Sequence, residues 1–342
     1  MNKRVHILRR VAMASAMVVA MMVASSCNDG LGIFENEGDC GVYISFKYDY
    51  NIKFADAFAN EVNSIALYVF DQSNTLVDQI TTTDKEALAS DSFELELQLD
   101  PGKYRLLAWG GVMNEESFDI MANTEIGKTT IEELQVMMHR KISDDGTAYR
   151  DEDLLPLYHG LMEIDINDVD GKYRHTMSMV KITNIVRILL HEMSGHPMSA
   201  EQYSFEITDR NGLYDYDNTR LDDEVITYKP WHMESIYAES ETTRATEINA
   251  VLAELTLGRM SAASSPILCV RNTETGEEVL RIPIADYALL VKGHYRESMG
   301  DQEYLDRQDE YPMTLFLDEG EWVSSQIIIN GWRVVINNTE LN

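Results

Sequence analysis

Cysteine is scarce: Cys27, Cys40 and Cys269 are the three in a chain of 342 residues. None lies in a CxxC pair or within a histidine cluster, so the sequence carries no zinc signature. Basic residues are also few, 28 against 58 acidic ones, which gives a formal charge of −30. A field of that sign repels nucleic acid and anionic lipid headgroups. No apolar run reaches the ~20 residues that a membrane-spanning helix needs. The motifs of catalysis are missing as well. There is no HExxH and no GxSxG, and Gly110-Gly111 lacks the Lys-Ser/Thr of a phosphate loop. These absences argue against an enzyme, a nucleic-acid binder or a holder of a metal or cofactor, and no small-molecule substrate is expected.

What is present begins at the N-terminus. Lys3, Arg4, Arg9 and Arg10 precede an apolar run from Val11 to Val23, and Ala24-Ser25-Ser26 then lead to Cys27. A basic segment, a short apolar core and small residues before a cleavage point make a secretory signal. A cysteine in that place resembles a bacterial lipobox, although Ala24 stands where the pattern usually has leucine. Cys27 is therefore the expected lipidation site, and two or more acyl chains give the stable anchoring that one cannot. Residues 1–26 form the expected signal peptide. Its four bases and no acids take the charge of the mature chain from −30 to −34. Contact with the membrane is thus expected through lipid, not through the protein surface. Residues 27–41 are acidic and Gly-rich and read as a tether.

Beyond the tether, strand patterns dominate. Val42, Ile44, Phe46 and Tyr48 alternate with polar neighbours, the period of a half-buried strand. Ser64 to Asp71 is apolar on both faces, which marks a central strand, and Thr75 to Thr82 is its hairpin partner. Phe93 to Leu99 alternates cleanly. Asp100-Pro101-Gly102-Lys103 then predicts a tight turn with Gly102 at positive φ, leading to a returning strand from Tyr104 to Gly111. Thr130 and Glu133 have capping-box spacing, and Leu154 to Ile166 returns to strand. Asp168 to Lys172 reads as a linker. After it come a long strand from His175 to Glu192, then Tyr203 to Thr208, Ala250 to Met260, and a hairpin around Asn272 to Gly276. Two closing strands follow, the last from Gln326 to Ile336 with an expected bulge at Asn330-Gly331. The expectation is an all-β protein of two tandem β-sandwiches with few short helices, over residues 42–170 and 171–342.

The stretch from Asp39 to Asn51 (Asp-Cys-Gly-Val-Tyr-Ile-Ser-Phe-Lys-Tyr-Asp-Tyr-Asn), with Ala55-Asp56-Ala57-Phe58 and Leu67-Tyr68-Val69-Phe70-Asp71, resembles the FimB-type minor fimbrial subunits. So do Gly102-Lys103-Tyr104, Ala108-Trp109-Gly110-Gly111 and Leu157-Tyr158-His159-Gly160. The likeness continues through Lys181-Ile182-Thr183-Asn184, Phe205-Glu206-Ile207-Thr208 and Thr227-Tyr228-Lys229-Pro230. It ends at Gln302 to Asp306 and at Ile329-Asn330-Gly331-Trp332, so it spans residues 27 to 336. No single piece is specific; their order and spacing are. The resemblance implies two transthyretin-like sandwiches and lipidation at Cys27. It also implies a non-enzymatic lipoprotein of the outer membrane that anchors the base of a fimbria and has fimbrial subunits as partners.

Several clusters invite a sharper reading. Asp209, Asn211, Asp215 and Asp217 offer oxygen ligands at alternate positions, the chemistry of a Ca²⁺ loop, but not the spacing of an EF-hand. In a chain this acidic, such clusters arise without a metal. Asp301 to Glu310 reads as the solvated face of a short helix. Trp109, Trp231, Trp322 and Trp332 are candidates for a sugar platform, and a glycan-binding surface lipoprotein of a nutrient-uptake system is the alternative function. Trp109 and Trp332 sit among apolar strand neighbours, so core packing is expected of both. Cys40 and Cys269 fall in different expected domains and read as buried free thiols, although export permits a disulfide between them.

Overall fold

A computed structural model describes residues 41–114, 117–168, 171–238, 248–294 and 298–335. The signal, the tether up to Cys40 and Cys27 itself lie outside the described residues.

The period-two pattern after the tether becomes the strand Gly41–Lys47, with Val42, Ile44 and Phe46 buried. It lies at the centre of a three-stranded sheet I. Lys172–Ser178 pairs with it in parallel along all seven residues, and Glu94–Leu97 pairs antiparallel through Val42 to Ser45. Sheet II has five strands in the order Val180–Lys181, Tyr158–Ile166, Gly102–Gly110, Ile65–Phe70 and Leu76–Thr82. The two sheets close on Ile44, Phe46, Ile65, Leu67, Val69, Leu106 and Ala108, a sandwich core built from the inward face of each.

Ile65–Phe70 is buried at all six positions because sheet II is covered on both faces. Ala66, Tyr68, Phe70, Leu107 and Trp109 point away from sheet I. They join a second core with Phe118, Ile131 and Leu134 and with the strands of the C-terminal half. That half holds sheet III, ordered His232–Ala238, Ile248–Gly258, Thr183–Glu192, Glu310–Asp318, Glu321–Ile329 and Trp332–Val335. Opposite it is sheet IV, ordered Glu278–Pro283, Ile267–Asn272, Tyr203–Asp209, Ile226–Tyr228, Ala148–Arg150 and Lys141–Ile142. A small sheet V joins Leu213–Tyr214, Val136–Met138 and Phe118–Ile120. The chain is all-β, with short helices at Phe58–Glu61, Lys85–Leu88, Ile284–Leu289 and Asp301–Arg307.

Four expectations need correction. Lys172–Ser178 belongs to sheet I, so the chain does not change sandwich at residue 170. It does so between Lys181 in sheet II and Thr183 in sheet III, and residues 118–150 visit sheets IV and V before it returns. The single long strand expected from His175 to Glu192 is three strands in three sheets. Its corners are Met179 and Ile182, both fully buried, which keeps the stretch apolar across two changes of sheet. Asp100-Pro101-Gly102 is a crossing between layers, not a hairpin: Glu94–Leu97 lies in sheet I and Gly102–Gly110 in sheet II. Gly102 pairs with Ile166 in extended backbone, and the positive φ falls at Gly111 instead, at +95°. A side chain there would put its Cβ 2.1 Å from the Pro156 carbonyl oxygen, so only glycine fits that corner. Lastly, Asn330-Gly331 is a two-residue hairpin turn and not a bulge. Both residues have positive φ, and Ile329 pairs with Trp332 across it.

Candidate partner-docking edges and the joint between the sandwiches

An adaptor made of sheets can offer its edges, its faces or the seam between its halves. The first strand is paired on both sides, so the groove beside it in the first sandwich is filled by the chain's own residues. At the far end of sheet III the situation differs. The Asn330-Gly331 turn folds Trp332–Val335 back as the last strand, and no further strand flanks it among the described residues. Trp332 is 44% exposed and Val335 61%, against the burial expected for Trp332. A strand at the edge of a sheet with exposed apolar side chains is a template for another chain.

The tryptophans do not form a platform, and Trp322, in Glu321–Ile329, is half-buried against the second core. Trp109 is fully buried, as expected, and rests against the His159 ring at 4.8 Å. Trp231 is 41% exposed but sits at the opposite edge of sheet III from Trp332, with four strands between them.

The acidic loop is consumed by local structure. Asp209 accepts from Arg220 Nη2 at 2.7 Å, Asp217 from the Thr219 N–H, Asp215 from the Tyr216 N–H, and Asp223 pairs with Arg140 at 2.7 Å. Asp306, expected on a solvated helix face, is buried and forms two bonds with the Arg259 guanidinium at 2.7 and 2.8 Å. Among the described residues no group of three or more His, Cys, Asp or Glu is placed to hold a metal ion. Cys269 is a free, buried thiol; Cys40 lies outside the described residues. Ser194 Oγ lies 2.6 Å from Glu192 and 2.7 Å from His196 Nδ1, which superficially suggests a triad. Glu192 also accepts the N–H groups of Glu319 and Gly320, so its carboxylate ties down a hairpin turn.

The seam between the sandwiches is polar and tightly bonded. Lys181 Nζ lies 2.7 Å from Asp309 Oδ2 and 3.4 Å from Glu61 Oε2, and the Tyr158 hydroxyl donates to Glu61 at 3.1 Å. Burial alone would lower the Lys181 ammonium, but the charges of Asp309 and Glu61 outweigh it and hold it above its ordinary value. The Arg307 guanidinium stacks over Tyr50 at 3.9 Å and Phe54 at 4.6 Å, and the Ile52 N–H donates to the Arg307 carbonyl at 2.8 Å. Further along, His159 Nε2 donates to the Tyr216 carbonyl at 2.8 Å.

His159 yields a pH test. Burial pushes its imidazole down to about 4, only partly opposed by the bond to Tyr216. An unfolded histidine takes its proton near ~6.5, so between those values the unfolded chain binds a proton that the folded one refuses. Stability is complete above that window and falls with pH through it, by about 3 kcal/mol in all. Urea midpoints measured from pH 7.5 to 5 check this, and the slope is expected to vanish in His159→Gln.

Residues 36–338 match the family of fimbrillin-A associated anchor proteins Mfa1 and Mfa2. The chain belongs to that family. Fimbria-associated adhesion is therefore its role, and the resemblance to FimB-type anchors is confirmed in kind. Solved structures agree. A candidate adhesin from Bacteroides thetaiotaomicron is 33% identical with a TM-score of 0.77, over 88% of this chain and 100% of that one. A protein of the same organism described as a candidate polysaccharide-binding protein is 27% identical, TM-score 0.75, over 87% and 99%. The fimbrial anchor protein Mfa2 of Porphyromonas gingivalis shares the fold at TM-score 0.64 and 20% identity, over 87% and 99%. No curated protein sequence matches the chain.

Proposed function

We propose that this chain is a non-enzymatic lipoprotein, held in the outer membrane by acyl chains on Cys27, that fixes the base of a fimbria and limits its length. The fibre joins it by β-strand addition, in which main-chain hydrogen bonds give persistence and alternate side chains give fit. The observation that carries this reading is the exposed edge strand Trp332–Val335 on a member of a fimbrial anchor family. The first sandwich is a poorer acceptor than its place after the tether suggests, because Gly41–Lys47 already fills the groove. The tether holds no Lys or Arg between Cys27 and Lys47, so a trypsin-like protease has no site at which to cut the subunit from its anchor.

In an antiparallel ladder, N–H groups point alternately to the partner and away. Trp332 pairs with Ile329 across the turn, which leaves the Arg333 N–H facing the open side. Proline at position 333 removes that donor and keeps the hairpin's backbone ladder, at the loss of the Arg333 Nη2 bond to Gln326 Oε1. Arg333→Ala, which loses the same side-chain bond and keeps the N–H, is the control. The expected result of Arg333→Pro is a folded, cell-bound protein whose fimbriae shed into the medium. Deleting the whole protein is expected to give shed or overlong fibres. Unaltered fibres with lost polysaccharide binding would instead favour the glycan-binding reading, which the polysaccharide-binding description of one structural neighbour keeps in view.

A further inference from the structure

The seam does more than join the sandwiches. A cavity of about 290 Å³ opens between the loop after the first strand and residues 308–310. Asp56, Glu61, Asp309 and Glu310 line it against Lys53 and Lys181, an excess of negative charge. Lys181 is committed to Asp309 and Glu61, and Glu310 to Arg187 at 3.0 Å. Two other lining residues are almost wholly buried, Tyr48 at 1% exposure and Gln308 at 8%. The Gln308 amide N–H donates to the Glu310 carbonyl, and its Oε1 has no hydrogen-bond partner. Tyr48 Oη has none either, although its ring is fixed edge-on against Tyr158 at 5.2 Å.

Buried polar atoms in folded proteins are almost always satisfied, so two orphans at one cavity call for a partner. Both can accept a hydrogen bond, and the carboxylates around them can only accept. Gln308 Oε1 is acceptor-only like the carboxylates, and the Tyr48 hydroxyl can accept as well as donate, so a positive partner rich in donors, a guanidinium or an ammonium, satisfies them together. A metal ion does not meet the case, because no suitable ligand group of three exists among the described residues.

We propose that the cavity at the seam, lined by Tyr48, Asp56, Glu61, Gln308 and Asp309, receives the guanidinium or ammonium end of a basic side chain from a neighbouring polypeptide. Binding there would bridge the two sandwiches. The site does not depend on strand addition, since the sheet III edge lies elsewhere.

The test is calorimetric titration of the purified protein with N-acetyl-arginine amide and with its neutral isostere, N-acetyl-citrulline amide. Saturable binding of the arginine compound is expected, with the citrulline compound at least about tenfold weaker. Gln308→Leu and Tyr48→Phe are each expected to weaken it severalfold. Tyr48→Phe keeps the ring and loses one oxygen, so it isolates the contact from folding. Tighter binding of arginine within an extended peptide than of the amide supports a partner chain as the source. Equal binding of citrulline, indifference to both substitutions, or no saturable heat, which would mean ordered water only, overturns the proposal. None of those outcomes bears on the Arg333→Pro result.

Discussion

Replacing Cys27 with alanine releases the protein into the medium and, with it, the fibres it holds. The expected change is from nearly complete membrane fractionation to nearly complete loss. No helix among the described residues is long and apolar enough to cross a membrane. The chain carries a formal charge of −30, which becomes −34 if the proposed signal and its four bases are removed, and a surface of that sign is repelled by anionic headgroups. Each buried CH₂ of an acyl chain contributes ~0.8 kcal/mol, and one chain alone binds only reversibly. On the proposed reading, anchorage rests on this single thiol carrying more than one chain. Metabolic labelling with palmitate, followed by fractionation, reads it directly: label and membrane association are expected to disappear together. A C27A protein that remains membrane-bound would show that another element holds it.

The second large effect is expected at the seam. Lys181→Met removes the one cation that, among the described residues, faces both Asp309 and Glu61 at close range, with the ammonium almost wholly buried. Breaking a buried pair by deleting one partner costs 3–5 kcal/mol as a rule, since the remaining charge stays desolvated. Glu61 is partly exposed, which places the expected loss near the lower end, roughly 3 kcal/mol. Urea unfolding measures it. Asp309→Leu in the same chain removes the stranded charge, so the double variant is expected to recover much of the loss. Strict additivity of the two single losses would show that the groups are not coupled.

Much of the sheet structure was legible because strands buried on one face betray themselves by alternation, as Val42 to Tyr48 and Phe93 to Leu99 do. The capping box at Thr130 and Glu133 likewise appears where the spacing put it, at the head of the short turn Ile131–Glu133. Sheet membership was not legible. Met179 and Ile182 are buried corners that keep the stretch apolar, and the only local trace of the two changes of layer is a shift of the buried apolar positions from odd (Met177, Met179) to even (Ile182, Val186, Ile188). The three-residue strands Phe118–Ile120, Val136–Met138 and Ala148–Arg150 are too short to show a period at all. Asn330-Gly331, like Asn211-Gly212, is an Asn-Gly pair, a strong short-range hairpin signal. Reading it as a bulge hid the edge strand that follows and, with it, the exposure of Trp332. The seam lay beyond sequence reasoning for another reason. Glu61, Lys181 and Asp309 are brought together only by the fold, and no local pattern links residues so far apart in the chain.

Immunogold electron microscopy of intact cells, with antibody to this protein, tests most directly whether a lipid-held subunit sits at the root of the fibre. One cluster of gold is expected where each fimbria meets the membrane, with shafts unlabelled. Gold spaced along the shafts, or on bare membrane away from any fibre, would contradict it.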